Sequence, residues 1–296
     1  MTQPCAPLDP RLNAFRDDLA DAALKGRVSS ERFAEGRSAG VVRGIADLRR
    51  APNARSGLDT QLLFGEAVTV FDEADGWAWV QNRTDGYVGY VESAALGAAP
   101  PPPTHRVTAL RSYLFPEPNL KAPPLDCLSI ASPLCIVGRE GDYAALHGGG
   151  YVYGKHIAPL DDSEPDFVAT ALRFLGTPYY WGGRSSVGLD CSTLVQLSLA
   201  CAGVSLRRDS CQQATSAGEA LNGLPGEVVL QRGDLVFSPG HVAMVLDASM
   251  PDAARIVHAN AFTMTVAIED LAALEGRVRA ETGGGFTAVR RIAQGN

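Results

Sequence analysis

Apolar and polar residues alternate with the two-residue period of β-strands over two neighbouring stretches of the chain, 38–98 and 104–160. Aspartate–glycine steps at Asp75-Gly76 and Asp85-Gly86 separate apolar runs in the first stretch, a pattern typical of β-hairpins. The order of strands recurs more weakly in the second stretch, which indicates an internal repeat of roughly 55 to 60 residues. We therefore predict two small β-domains, joined by the proline-rich run at 98–103.

The N-terminal residues are charged and prone to form helices. Apolar residues recur there at helical spacing and form an amphipathic stripe: Leu12, Phe15, Leu19 and Ala22 or Ala23. We predict an N-terminal helical arm over 1–37, docked on a neighbouring element.

The remaining residues, 165–296, mix helical and strand periods and form a predicted α+β domain. Helices are predicted at 166–175, 192–202 and 270–279, and short strands at 235–237, 241–246 and 255–260. Pro239-Gly240 is a turn signal between the first two strands.

Cys191 lies between a glycine-rich turn and the predicted helix 192–202. At a helix N-terminus, unpaired backbone N–H groups and the helix dipole favour a thiolate, which is the nucleophilic form of cysteine. Most cysteines outside disulfides are simply small buried hydrophobic residues, so Cys191 alone does not decide the matter.

Two of the five histidines, His241 and His258, lie on adjacent predicted strands downstream of Cys191. A lone histidine in a strand is more often a structural residue than a catalyst. A cysteine followed by a histidine and a polar orienting residue is, however, the arrangement that nucleophilic cysteine catalysis requires.

Several spaced motifs then occur in an order that resembles the NlpC-type cell-wall cysteine peptidases, a compact papain-like group. The motifs are GTPYYWGGRSSVGLDCST, RRDS, GDLVFSPGHVAMV and HAN, and they span roughly residues 166–270. The chain departs from the family pattern at Thr193, where glycine is usual, and at Cys211-Gln212 after the RDS motif.

The resemblance implies that Cys191 is the nucleophile, His241 the base and His258 the residue that orients the base, with no metal or cofactor. It implies a papain-like fold, in which a helix-borne cysteine packs on a small antiparallel sheet. The two β-domains resemble bacterial SH3-like barrels, which often accompany cell-wall hydrolases.

Relatives with SH3-like domains cleave murein peptides, and the resemblance implies cleavage between γ-D-glutamate and a diamino acid. Such peptides, of the L-Ala-γ-D-Glu-diaminopimelate type, begin with a free L-alanine, and their cationic amine needs anionic or polar partners. Asp190 is either a helix N-cap or an amine-binding carboxylate, and the two roles are compatible. The predicted substrate-binding residues of the peptidase domain are Asp190, Ser192, Tyr179, Trp181, Asp209 and Ser210.

In relatives, a Glu and a Tyr of the first SH3-like domain help to close the amine end of the cleft. The best matches here are Glu66 and Tyr87, which could equally be ordinary strand residues. A cleft closed in this way would admit only short, already released peptides.

Charge and composition narrow the remaining possibilities. A net charge of −7 and a pI near 5.3 argue against nucleic acid or an anionic membrane as partner. The N-terminus has no apolar run typical of an export signal, so we expect a cytoplasmic monomer whose six cysteines, Cys5 included, are reduced.

Two other functions stay open on the sequence alone. The SH3-like pair could belong to a binding or scaffold protein with a degenerate catalytic domain. The nucleophile could instead serve a cysteine amidase or acyltransferase, although the carboxylates Asp190 and Asp209 argue mildly against the broad apolar groove that a lipid amide would need.

Overall fold

The computed structural model describes residues 8–248 and 254–293, so Cys5 lies outside the described residues. Residue contacts divide the chain into two compact units. Unit 1 comprises 1–104, 113–128 and 132–152, and unit 2 comprises 105–112, 129–131 and 153–296. The predicted second β-domain at 104–160 is thus divided between the units, and its boundaries stay a prediction.

The described residues are mostly β-structure with four α-helices. The strands up to residue 97 are β1 (Leu19–Asp21), β2 (Arg32–Ala34), β3 (Arg37–Val41), β4 (Ile45–Arg49), β5 (Leu58–Leu63), β6 (Ala67–Ala74), β7 (Trp77–Asn82), β8 (Val88–Glu92) and β9 (Leu96–Gly97). Those that follow are β10 (His105–Val107), β11 (Arg111–Phe115), β12 (Asp126–Ser129), β13 (Pro133–Leu134), β14 (Ile136–Glu140), β15 (Tyr143–Leu146), β16 (Tyr151–Tyr153) and β17 (Ile157–Pro159).

The elements of the last third are α1 (Phe167–Leu172), β18 (Arg184–Ser185), β19 (Gly188–Leu189), α2 (Cys191–Cys201), α3 (Ser210–Ser216), β20 (Glu219–Ala220), β21 (Leu235–Ser238), β22 (His241–Asp247), β23 (Arg255–Asn260), β24 (Thr265–Asp270), α4 (Leu271–Thr282) and β25 (Ala288–Arg291). Single 3₁₀ turns lie at Ala22–Leu24, Ser93–Ala95 and Gly154–His156.

In unit 1, seven strands form one sheet in the order β5-β4-β8-β7-β6-β3-β9. Both predicted hairpins are confirmed. Asp75 and Gly76 have φ values of 51° and 80° and join β6 to β7, as a two-residue hairpin requires. The buried core of this sheet consists of alternate strand residues, among them Ala39, Leu48, Leu62, Val68, Val80 and Val91.

The predicted N-terminal helical arm is wrong. Over the described residues 8–36 the chain forms no α-helix, and β1 pairs in parallel with β2. Tertiary packing overrides helix propensity here, because Ala14 and Leu19 are buried against Phe71 and Trp79.

Arg16 fixes the same N-terminal segment to the sheet of unit 1. Its guanidinium lies 4.3 Å from the ring centroid of Trp79, a distance typical of a cation–π contact. It also donates hydrogen bonds to Asp72 at 2.7 Å and to the Tyr90 hydroxyl at 2.9 Å. The segment is therefore part of the folded β-unit rather than an appended arm.

In unit 2, six antiparallel strands form a sheet in the order β20-β25-β21-β22-β23-β24. The predicted turn at Pro239-Gly240 joins β21 to β22, with Gly240 at a φ of 73° and Ser238 paired with His241. Helix α4 begins after Asp270, as predicted, and buries Leu271, Leu274 and Val278 in the core that it shares with the sheet. Helix α2 packs on β22 and β23 and is buried almost all round.

Candidate active site

Cys191 is the first residue of α2, and its position follows from the capping of that helix. Asp190 is the N-cap residue: its carboxylate accepts the Thr193 N–H at 3.0 Å, while the Thr193 hydroxyl accepts the Asp190 N–H at 2.9 Å. This reciprocal capping box defines where the helix starts. The N-cap role predicted for Asp190 is therefore confirmed.

The glycine-rich turn before Cys191 holds its shape through close backbone contacts. A Cβ on Gly183 would lie 2.6 Å from the Gly188 carbonyl oxygen, so no larger residue fits there. The Thr193 hydroxyl donates to the Gly183 carbonyl oxygen at 2.7 Å. The threonine that replaces the usual family glycine thus connects the turn to the helix.

The Cys191 sulfur lies beside the first residues of β22. It is 4.0 Å from the carbonyl oxygen of Gly240, and the backbone N–H of Val242 also points to it. These two residues flank His241 in the chain. The fold thereby brings together the predicted nucleophile and the predicted base.

His241 and His258 form the second part of the site. Nε2 of His241 and Nδ1 of His258 are 2.8 Å apart, and the two rings meet edge to face at 72°. The His258 side chain is completely buried. The predicted pair of histidines on adjacent strands is therefore in direct contact, in the order that the orienting role of His258 requires.

Beyond His258, the structure adds two residues that the sequence analysis did not identify. Glu269 on β24 places Oε1 2.8 Å from Nε2 of His258, and Arg277 on α4 is ion-paired with the same carboxylate. In one sequence nothing distinguishes Glu269 from other polar strand residues. Its contact depends on the register of β23 and β24, in which Glu269 lies opposite Ile256 and diagonally from His258.

Arg208 is another partner that the sequence did not reveal. It donates to both oxygens of the Asp190 carboxylate, at 2.6 and 3.2 Å, and to the Ser192 hydroxyl at 2.9 Å. The Arg208 and Asp190 side chains are 2% and 10% exposed. This buried ion pair at the start of α2 places a neutralised carboxylate next to the nucleophile.

Burial dominates the electrostatics of the catalytic pair. Burial and the charge of Asp190 raise the pKa of the Cys191 thiol to about 12. Burial and His258 lower the pKa of His241 to about 3. Burial itself works against the ionised form of Asp190, but Arg208 and the helix cap hold the pKa of Asp190 below its ordinary value.

In the substrate-free protein, the surroundings of Cys191 oppose the expected thiolate, which stays a prediction. A raised thiol pKa and a lowered imidazole pKa both favour the neutral thiol–imidazole pair over the ion pair at pH 7. Desolvation opposes the effect of the helix dipole, which is worth up to about 2 kcal/mol in partly buried geometries.

Alkylation with iodoacetamide tests this state of Cys191. In the native, substrate-free protein, the alkylation rate of Cys191 should still rise steeply with pH above about 10, because the thiolate fraction keeps growing up to the raised pKa. In the urea-denatured protein the rate should reach half its maximum near pH 8.5, the ordinary cysteine pKa, and should level off by about pH 10. Peptide mapping separates Cys191 from the exposed Cys211. A native Cys191 rate that is already maximal near pH 7 would contradict the neutral pair.

Of the three consecutive aromatic residues, Tyr179 is half-buried and interacts electrostatically with Cys191. Burial, and to a smaller extent the neighbouring Cys191 and Asp190, raise the pKa of Tyr179, so its hydroxyl stays neutral and can donate a hydrogen bond. Tyr180 packs instead on the glycine turn, where a Cβ at Gly183 would approach its ring to 2.8 Å. Trp181 is 69% exposed.

Asp209 and Ser210 lie half-buried at the start of α3. The Asp209 N–H donates to Gln212 Oε1 at 3.2 Å, so the unusual Gln212 takes part in capping α3. Gln213 donates to the carbonyl oxygen of Ser192 at 3.0 Å, which connects α3 to the first turn of α2. Contact of Asp209 or Ser210 with a substrate stays a prediction.

Glu66 and Tyr87 lie inside unit 1. Glu66 is 2% exposed and its carboxylate accepts the N–H of Leu63 at 2.9 Å. Tyr87 is 3% exposed and packs in the core of the seven-stranded sheet. Of the two roles predicted for these residues, the structure supports that of ordinary structural residues, because burial leaves little of either side chain for a substrate to contact.

Within 8–248 and 254–293, no three or more His, Cys, Asp or Glu side chains come together in a way that could hold a metal ion. No helix in this part of the chain is both long and apolar enough to cross a membrane.

Comparison with protein-family models finds matches to two separate parts of the chain. A model described as the bacterial dipeptidyl-peptidase Sh3 domain matches residues 48–96. The NlpC/P60 family model matches residues 176–273, which include Cys191, His241, His258 and Glu269.

Individual relatives agree with these matches. Dipeptidyl-peptidase 6 of Lysinibacillus sphaericus is 25% identical over 237 residues, which cover 71% of this chain and 84% of the relative. The gamma-D-glutamyl-L-lysine dipeptidyl-peptidase of Bacillus subtilis (strain 168) is 29% identical over 199 residues, which cover 61% of this chain and 64% of that enzyme.

A crystal structure of an NlpC/P60 family protein from Bacillus cereus ATCC 10987 superposes with a TM-score of 0.70 at 22% identity, covering 86% of this chain and 99% of the other. At this identity the likeness establishes a common fold.

Proposed function

Because this chain is an NlpC/P60 cysteine peptidase with a bacterial SH3 domain in front of the catalytic domain, we propose that it hydrolyses the bond between γ-D-glutamate and a diamino acid. The substrates are short murein peptides that begin with a free L-alanine. The reaction belongs to the turnover of peptidoglycan-derived peptides, and a cytoplasmic location is part of the proposal.

One observation carries the peptidase chemistry, namely the contact between α2 and β22. It places the Cys191 sulfur against the backbone on both sides of His241, whose ring is hydrogen-bonded to His258. This is the order of nucleophile, base and orienting residue that cysteine catalysis requires. The choice of bond is supported by the relative from Bacillus subtilis, whose name specifies a gamma-D-glutamyl-L-lysine dipeptidyl-peptidase.

The reaction begins from the neutral pair. His241 takes the thiol proton through Nδ1, since its Nε2 is engaged with His258. The Cys191 sulfur attacks the γ-glutamyl carbonyl carbon and forms a tetrahedral oxyanion. Backbone N–H groups at the start of α2, including that of Cys191, are the proposed donors to this oxyanion.

The intermediate collapses when the C–N bond breaks. His241 gives its proton to the leaving amine of the diamino acid, and a thioester to Cys191 remains. A water molecule then attacks the thioester, and His241 accepts one of its protons. Cleavage of the C–S bond releases the γ-glutamyl product, and the sulfur takes the proton back as a thiol.

Recognition of the substrate amine is proposed for the carboxylates near the nucleophile. Asp190 already accepts hydrogen bonds from Arg208, Thr193 and Gly182, so its contribution is mainly electrostatic. Asp209, with Ser210 beside it, is more exposed and is the better candidate for a direct contact.

A paired peptide assay tests the proposal. One substrate is L-Ala-γ-D-Glu-meso-diaminopimelate, and the other is the same peptide acetylated on its N-terminus. The L-lysine analogue is included to establish the diamino acid preference, and a Cys191→Ala variant serves as the blank. Mass spectrometry should show release of the diamino acid from the free peptides only.

Each other result has a defined meaning. Equal cleavage of the free and acetylated peptides would keep the peptidase but remove the amine-binding role of Asp190 and Asp209. No cleavage of any peptide would refute the proposed substrate and favour a scaffold protein or a cysteine amidase or acyltransferase with another substrate.

A further inference from the structure

We propose that Glu269 is a positioning residue that selects the tautomer of His258 and, through it, the tautomer in which His241 can act as a base. This inference rests on the peptidase chemistry proposed above and extends it by two residues, Glu269 and Asn260. It begins from an unusual feature of His258, whose Nε2 has two polar neighbours of opposite character.

The two neighbours of His258 Nε2 compete for it. Oε1 of Glu269 lies 2.8 Å away and can only accept a hydrogen bond, whereas Nδ2 of Asn260 lies 3.2 Å away and can only donate one. A ring nitrogen either carries a proton or presents a lone pair. Each neighbour therefore favours a different tautomer of neutral His258.

The orientation of the Asn260 amide is fixed by the turn that follows β23. Its Oδ1 accepts the backbone N–H of Thr263 at 2.7 Å and lies 3.1 Å from the hydroxyl of the same residue. Turning the amide round would bring its NH₂ group against that N–H. Nδ2 therefore faces His258.

The choice of tautomer is transmitted to His241 through the 2.8 Å contact between the rings. When His258 carries its proton on Nε2 and donates to Glu269, its Nδ1 accepts from Nε2–H of His241. Nδ1 of His241 then presents a lone pair and can take the thiol proton. When Asn260 donates to His258 instead, His258 carries the proton on Nδ1, and His241 is protonated on Nδ1 and cannot act as a base.

Charge and packing favour Glu269 over Asn260 as the hydrogen-bond partner of His258 Nε2. A bond to a carboxylate is shorter and stronger than one between neutral groups, and the full burial of His258 increases the difference. Arg277 is ion-paired with the same carboxylate oxygen and lies 4.4 Å from the ring centroid of Phe262. This pairing holds Glu269 in place, and the positive charge of Arg277 disfavours protonation of His258.

Three variants separate this role from simple packing: Glu269→Gln, Asn260→Asp and the double variant that combines them. In Glu269→Gln, a neutral amide replaces the carboxylate that contacts both His258 and Arg277. The negative charge that favours a proton on Nε2 of His258 is then lost, and Asn260 can donate to that nitrogen instead. In the double variant, the carboxylate introduced at position 260 restores an acceptor to Nε2 and still accepts from Thr263, and the net charge is that of the wild type.

The expected kinetic result is a loss that the second substitution reverses. Glu269→Gln should lower kcat about 10- to 100-fold, the usual range for a residue that orients a catalytic group, with KM changed less than about twofold. The double variant should recover most of the loss. Glu275→Gln, which breaks a Glu–Arg pair on the exposed side of α4, is the matched control and should not change kcat.

Nitrogen-15 NMR of the histidine rings reads the tautomers directly and without substrate. The wild-type protein and the double variant should show both rings protonated on Nε2, and Glu269→Gln should show protonation on Nδ1. This spectrum stands even if the peptides of the assay above are not the substrates. Unchanged tautomers in Glu269→Gln, or a double variant no more active than that single variant, would overturn the proposal.

Discussion

Cys191→Ala and His241→Ala should each lower the rate of peptide hydrolysis about 10⁴-fold or more, and the double variant should be no slower than the worse single variant. The reason is that the neutral thiol becomes a nucleophile only by giving its proton to His241, so each residue is ineffective without the other. Rates of peptide cleavage measured for the three variants check the expectation.

A matched control is Cys211→Ala, because Cys211 is an exposed cysteine on a neighbouring helix. It should cleave at the wild-type rate. Additive losses in Cys191→Ala/His241→Ala would mean that the two residues act in separate steps, and a His241→Ala variant with substantial activity would assign the base to another group.

Arg208→Met should lower the free energy of unfolding by about 3–5 kcal/mol, the usual result of removing one partner of a buried ion pair. The substitution leaves the Asp190 carboxylate without its main counter-charge at a position where the side chain is only 10% exposed. Urea denaturation followed by circular dichroism measures the difference.

The double variant Asp190→Asn/Arg208→Met separates charge from packing, because it removes the buried charge together with its partner. It should be more stable than Arg208→Met alone. Arg279→Met, which breaks an ion pair whose arginine is 67% exposed, should cost less than about 1 kcal/mol. A double variant less stable than Arg208→Met would show that the Asp190 carboxylate stabilises the protein mainly as the cap of α2 and not through its ion pair with Arg208.

The sequence predicted those parts of the site that depend on neighbours in the chain. Asp190 caps α2 because cap and helix are contiguous, and the Asp75-Gly76 hairpin follows from backbone conformations that these two residues tolerate. The motifs that carry Cys191, His241 and His258 occur in a specific order along the chain. From this order we could expect that Cys191 lies beside the strand of His241 and that the two histidines are in contact.

The partners that the sequence did not predict come from distant parts of the chain. Arg208 reaches Asp190 across 18 residues, and Glu269 reaches His258 only through the register of two strands. The ionisation of Cys191 depends on a second quantity of this kind, because the helix N-terminus can be read from the sequence but the degree of burial, which raises the pKa of the thiol, cannot. The N-terminal helix failed because the contacts of Leu19 with distant strands outweigh local propensity.

The contact of Arg16 with Trp79 determines where the β-domain of unit 1 could be cut for transfer into another protein. The portion that matches the Sh3 family model begins at residue 48, whereas Ala14, Arg16 and Leu19 cover Phe71 and Trp79 from outside that portion. A transplanted module cut at residue 48 would expose two large aromatic rings and leave Asp72 without its arginine. The folded unit of this β-domain therefore includes the segment that precedes the matched portion.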